Sequence, residues 1–329
     1  MATEILPSTL KLSFKSETNN PNSKPARVLC YGAAKTRKTW WAGTAGATHQ
    51  TWLLDGDGED GAGILKNLPD SSLQNINHIP LKGTKNLANF ILFITALAKE
   101  RQIFWDIKDS RLVGFNKISL LADDKEYYVC DCTNLSEKDV VIIDSWTGLV
   151  HAMTISYAEL RGIDLLEDDL GRTTKGGGTD KMDYYGYAQR VLDYTLELIS
   201  SLPCHVILIG HAAFYENEYK KGSMTVKDSK LQVISSSGPH GAKIPSRFGD
   251  VLWFENSHKE PKTLIHAEAE RYREGGCRRL SPVTHEFPSW EFKDYLAEAQ
   301  VSTPNISQPS DPFITKLTGA QIKEFAGKV

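Results

Sequence analysis

The sequence predicts an α/β fold, with a mostly parallel central sheet flanked by helices and a β insertion set into it. Three observations predict it. Short apolar runs at residues 28–31, 51–54, 140–143 and 204–209 lack the polar alternation of a half-exposed strand, as strands buried on both faces do. These runs lead into a glycine, an acid or a histidine: Gly32, Asp55, Asp144 and His211. Segments of helical period stand between them, with Leu87, Phe90, Ile91, Ile94, Leu97 and Ala98 on one face of residues 86–101. Tyr187, Val191, Tyr194, Leu198 and Leu202 make a second stripe in residues 185–202.

The chain of 329 residues is 40% hydrophobic and 24% charged, enough for a sizeable core. A formal net charge of −3 excludes a globally basic nucleic-acid binder, so any such contact must come from a local patch. The five cysteines are Cys30, Cys130, Cys132, Cys204 and Cys277. An odd number, two of them in predicted buried strands, reads as free thiols in a reducing cytosol. Cys130 and Cys132 lack the further ligands a zinc site needs and fit an alternating strand better. There is no apolar run of 18 residues and no signal-peptide core, so the expectation is a soluble, cytoplasmic protein with no membrane partner.

Residues 1–25 read as a flexible arm: one candidate strand at 9–14, then a polar Asn/Ser/Pro linker. The domain proper is expected over 26–298. Its first strand ends in Gly32, Ala33, Ala34, Lys35, Thr36, Arg37, Lys38 and Thr39. This approximates the phosphate-binding loop G-x-x-x-x-G-K-[ST], in which backbone N–H groups form an anion cradle. Lys38 would reach the β- and γ-phosphates, and Thr39 would offer its hydroxyl to Mg²⁺. Arg37 stands where the second glycine belongs, a position where glycine is usual because the backbone passes close to phosphate and can call for φ > 0. Trp40 and Trp41 continue the helix as packing residues.

The strand at 51–55 ends in an acidic, glycine-rich tip, residues 55–61. The tip lacks the bidentate glutamate of a calcium loop. Beside a phosphate loop, an acid here can order or deprotonate the attacking water, with Glu59 the first candidate and Asp57 the second. A solvated turn is the plainer alternative. Residues 78–80 close another short strand. The β insertion is expected at about 108–135, including a hairpin whose turn carries Asp123 and Asp124. Residues 140–144 are four β-branched residues ending in Asp144, the Walker B pattern, and this acid would hold the magnesium shell opposite the loop.

A helix is expected over 146–163, and an irregular segment over 164–183. The strand at 204–211 puts His211 at its polar end, where it either senses the γ-phosphate or simply caps the strand. Residues 215–246 read as a long mobile segment carrying Lys220, Lys221, Lys227, Lys230 and Lys243, diluted by Glu216, Glu218 and Asp228. Strands follow at 248–255 and 263–267. Arg271, Arg273, Arg278 and Arg279 form a basic edge, and residues 290–296 the last core helix. Residues 299–329 read as a flexible tail with a polar linker and a short amphipathic end.

Taken together, the loop at 32–39, the tip at 55–59, the Ile143, Asp144, Ser145 strand end, the block at 185–207 and the block at 241–251 resemble the RecA-like ATPase core. They resemble more closely the phage-encoded RecA-like nucleotide-binding proteins linked to single-strand annealing and recombination. The resemblance spans about residues 26–280. It implies an ATP- and Mg²⁺-dependent ATPase that assembles as a ring or filament and binds single-stranded DNA through mobile loops at 164–183 and 215–243. Arg172, Lys175, Lys220 and Lys221 would then contact the DNA backbone, and a single-strand-binding protein is a further expected partner. Lys243 would reach a neighbour's γ-phosphate. Two other classes compete: a nucleotide-gated DNA or protein scaffold with little hydrolysis, if Arg37 distorts the cradle, and a helicase-loader or motor ATPase of another P-loop branch.

Overall fold

The computed structural model describes residues 25–56, 66–81, 86–99, 102–106, 113, 117–120, 125–131, 135–161, 179–221, 224–235, 238–268, 276–277, 280 and 282–301. The expected fold class holds. Six strands run parallel in the order β10 (Asp250–Asn256), β1 (Arg27–Gly32), β8 (His205–Lys221), β7 (Asp139–Asp144), β2 (Gln50–Asp55) and β3 (Ile76–Pro80). Antiparallel strands β11 (Thr263–His266) and β13 (Thr284–Phe287) extend the β10 edge. The order sets β8 between the strand leading into the phosphate loop and the strand ending in Asp144.

Successive residues of a strand face opposite sides, and both sides here are covered. Leu29, Tyr31, Trp52, Leu54, Val141, Ile143, Val206 and Leu208 belong to one core. It packs against Phe90, Phe93 and Leu97 of α3 (Asn86–Ala98), Trp146 and Leu149 of α4 (Trp146–Arg161) and Leu192 and Leu196 of α5 (Thr179–Ser201). Val28, Cys30, Leu53, Val140, Ile142, Ile207 and Leu252 face the other core, with Trp41 of α1 (Lys38–Gly43) and Tyr295 of α7 (Phe292–Val301). Trp41 is fully buried, stacked on Trp290 at 5.7 Å and edge-on to Phe254 at 5.6 Å, which bears out its reading as a packing residue.

Several elements differ from expectation. The inserted sheet has three strands in the order β4 (Gln102–Asp106), β6 (Lys125–Asp131), β5 (Lys117–Leu120), so it starts before residue 108. The hairpin of β5 with β6 is as expected. α5 begins at Thr179, within the segment read as irregular, and α7 runs to Val301. The largest correction concerns the basic segment after His211. It is not a long irregular loop: β8 continues to Lys221 and returns antiparallel as β9 (Met224–Val233). The pairing of the two strands satisfies their backbone groups whatever the side-chain pattern, so no apolar run is needed to mark them. Residues 1–24, the tip at 57–61, Arg172, Lys175, Arg271, Arg273, Arg278, Arg279 and the tail at 302–329 lie outside the described residues.

Candidate nucleotide site

The site forms where β1 ends. Gly32 has φ 155°, and a Cβ built there would lie 2.2 Å from the Phe254 carbonyl oxygen of β10, so only glycine lets β1 turn out of the sheet at this distance. The loop then curls. The Thr36 hydroxyl donates to the Ala33 carbonyl at 2.9 Å, and the Trp41 N–H donates to the Arg37 carbonyl at 2.9 Å. Ala33, Ala34 and Lys35 are exposed, leaving the outer turn open to solvent.

Lys35 has φ 61° and Arg37 has φ 59°, both left-handed. Arg37 thus adopts the conformation that glycine would supply, at a cost of about 1–3 kcal/mol that the surroundings must offset. They do so by holding its side chain. Its guanidinium donates to the Pro261 carbonyl at 3.0 Å and lies 5.5 Å over the Trp40 ring.

Lys38 is buried, and its ammonium donates to the Ala33 carbonyl at 2.7 Å, the Gly32 carbonyl at 3.3 Å and the Thr36 hydroxyl at 3.1 Å. The cation is therefore folded over the inside of the loop on neutral oxygens, which polyphosphate oxygens would replace with stronger, charge-assisted bonds. The Thr39 hydroxyl donates to a carboxylate oxygen of Asp144, 105 residues away. The two motifs expected to face each other do meet. A hydroxyl and a carboxylate side by side are hard oxygen donors of the kind Mg²⁺ takes.

Asp144 is buried and pairs in register with Asp55 of β2, also buried. Asp55 carries a partner that sequence reasoning missed: His78 of β3, whose Nε2 lies 3.0 Å from the Asp55 carboxylate. The partner lies 23 residues away on the adjacent strand, a distance at which no local spacing signals a pair. The Gly56 N–H donates to the Asp144 carbonyl, so β2 ends beside Asp144. Ser145 is buried, and its hydroxyl accepts the Gly148 N–H at 3.1 Å, which fixes the start of α4.

On the other side of β1, His211 pairs in register with Gly32. The strand pairing thus brings the candidate sensor to the mouth of the loop. Lys243 is not brought there. It sits on the segment that returns from β9 to β10, exposed, and with Asp193, Leu196, His240, Ile244, Ser246 and Arg247 it lines a cavity of about 280 Å³. Among the described residues no hydrogen bond or ion pair joins it to the loop. Lys220 and Lys221 lie at the far end of the ribbon, opposite Thr225 and Met224. Among the described residues no helix is long and apolar enough to cross a membrane.

No family model matches the chain, and no curated protein matches it. Among solved structures the chain is similar to one described as the RadB recombinase, at 14% identity and a TM-score of 0.37, over 80% of this chain and 87% of that one.

Proposed function

We propose that this chain is a Mg²⁺-dependent, single-stranded-DNA-stimulated ATPase of the RecA-like kind, acting in phage recombination or annealing as a homo-oligomeric ring or filament. The observation that carries the nucleotide reading is the contact of Thr39 with Asp144, which supplies paired oxygen donors beside a curled loop. Lys38 would exchange its loop carbonyls for β- and γ-phosphate oxygens. Thr39 and Asp144 would hold Mg²⁺, which when bound neutralises charge on the transferring phosphoryl group. Glu59 would order the attacking water, and His211 would hydrogen-bond the γ-phosphate. Lys243 would act on a neighbour's site, and Lys220 and Lys221, with Arg172 and Lys175, would contact DNA phosphates in a salt-sensitive way.

The scaffold alternative rests on Arg37 distorting the cradle. The left-handed backbone at Arg37 weighs against that premise and so favours turnover. Phosphate release measured with and without single-stranded DNA tests the proposal. Turnover is expected in the wild type, with losses of about 100-fold or more in Lys38→Ala and Asp144→Asn. Wild-type protein that binds ATP and releases no phosphate would favour the scaffold instead.

A further inference from the structure

We propose that the turn joining β10 to β11 is a clamp on the phosphate loop, with Asn256 and Arg37 as positioning residues that hold its two left-handed positions ready for nucleotide. The inference rests on the nucleotide-binding reading above.

Each strained position of the loop is tied to this one turn. The Asn256 side-chain amide donates to the Lys35 carbonyl at 3.3 Å, and Arg37 donates to the Pro261 carbonyl at 3.0 Å. The residues tied, Lys35 and Arg37, are the two with positive φ among the non-glycine residues described. The turn is itself held. The buried Thr263 hydroxyl donates to the side-chain amide oxygen Oδ1 of Asn256 at 3.4 Å, which orients the amide so that its NH₂ faces the loop. The Ser257 N–H donates to the Lys262 carbonyl at 2.9 Å. The Lys262 ammonium bonds Glu260 at 2.8 Å and Glu286 of β13 at 2.6 Å. The strand that delivers the turn is registered on the loop, since Phe254 pairs with Gly32 two residues before Asn256.

A glycine at position 37 would reach the same backbone angle freely but would leave it free to change. Arg37 gives up that freedom and gains an external tie, so part of the ordering a nucleotide would otherwise impose is already done. Replacing it with the glycine of the usual motif should therefore weaken binding rather than repair it.

The test is titration of the full-length protein with mant-ATP and Mg²⁺, alongside thermal melting with and without nucleotide. Asn256→Ala and Arg37→Gly are each expected to raise Kd about 3- to 10-fold, the range of one lost hydrogen bond. Arg37→Lys, which keeps a donor, should recover part of the Arg37→Gly loss. Asn256→Asp, which removes the donor and adds a negative charge beside the loop, should weaken binding at least as much as Asn256→Ala. The nucleotide-free melting temperature should stay within about 3 °C of wild type in all four. Unchanged or tighter binding in both Asn256→Ala and Arg37→Gly overturns the clamp alone, as does a loss that follows an equal fall in nucleotide-free stability without rescue by Arg37→Lys. Wild-type protein that binds no mant-ATP overturns the nucleotide reading and the clamp together.

Discussion

His211 stands beside Gly32 in the parallel pairing of β8 with β1, and its backbone N–H donates to the Thr147 hydroxyl at 3.0 Å. The strand end is thereby tied to α4, the helix that follows Asp144. Because the tie uses the backbone, substitution of the side chain leaves it intact. His211→Asn is expected to lower phosphate release about 10-fold while mant-ATP binding stays within about 2-fold of wild type. Unchanged release would reduce His211 to a strand cap.

Gly32→Ala is expected to lower the unfolding free energy in urea by about 3 kcal/mol, because the added Cβ would lie 2.2 Å from a carbonyl oxygen of the neighbouring strand. The atom met is backbone, in mid-sheet, and cannot swing aside. A loss below about 1 kcal/mol would show that β1 and β10 separate easily there.

Cys204 predicts an alkaline weakening. Burial pushes its thiol up to about 12 from an ordinary 9.0, against the smaller opposing pull of the Arg27 guanidinium. The native state therefore keeps a proton that the unfolded chain releases above pH of about 9, so stability falls as pH rises from there towards the folded value. The slope from this one group is about 1.4 kcal/mol per pH unit. Urea unfolding across this range should show wild type losing more stability than Cys204→Ala, with the difference growing as pH rises. Parallel curves would refute it.

The core strands and the two segments that meet at Thr39 and Asp144 were legible because burial on two faces demands uninterrupted apolar runs, and a polar residue at the end of such a run marks the sheet edge. β1, β2, β7 and the buried part of β8 all announce themselves this way. What escaped has a different physics. The outer half of β8 and β9 interleave charged and polar residues with Tyr, Val and Leu, so no uninterrupted apolar run marks them. β4 is five residues long and follows a helix without a turn residue to separate them. The first turn of α5 is polar and shows no stripe. Asp55 with His78, and Arg37 with Pro261, are long-range meetings that spacing does not encode. Arg37 shows the limit most clearly: its identity suggested a damaged motif, whereas its backbone angle and its anchor are properties only of the folded chain.

The seventeen residues of His205–Lys221 form one unbroken strand. Ten peptide steps separate His211 from Lys221, about 33 Å at the usual rise. The residue beside Gly32 and the outermost lysines of the ribbon thus lie on a single strand, paired along its length and without irregular backbone between them. One continuous extended chain therefore joins the register partner of Gly32 to Lys220 and Lys221, with no loop between them.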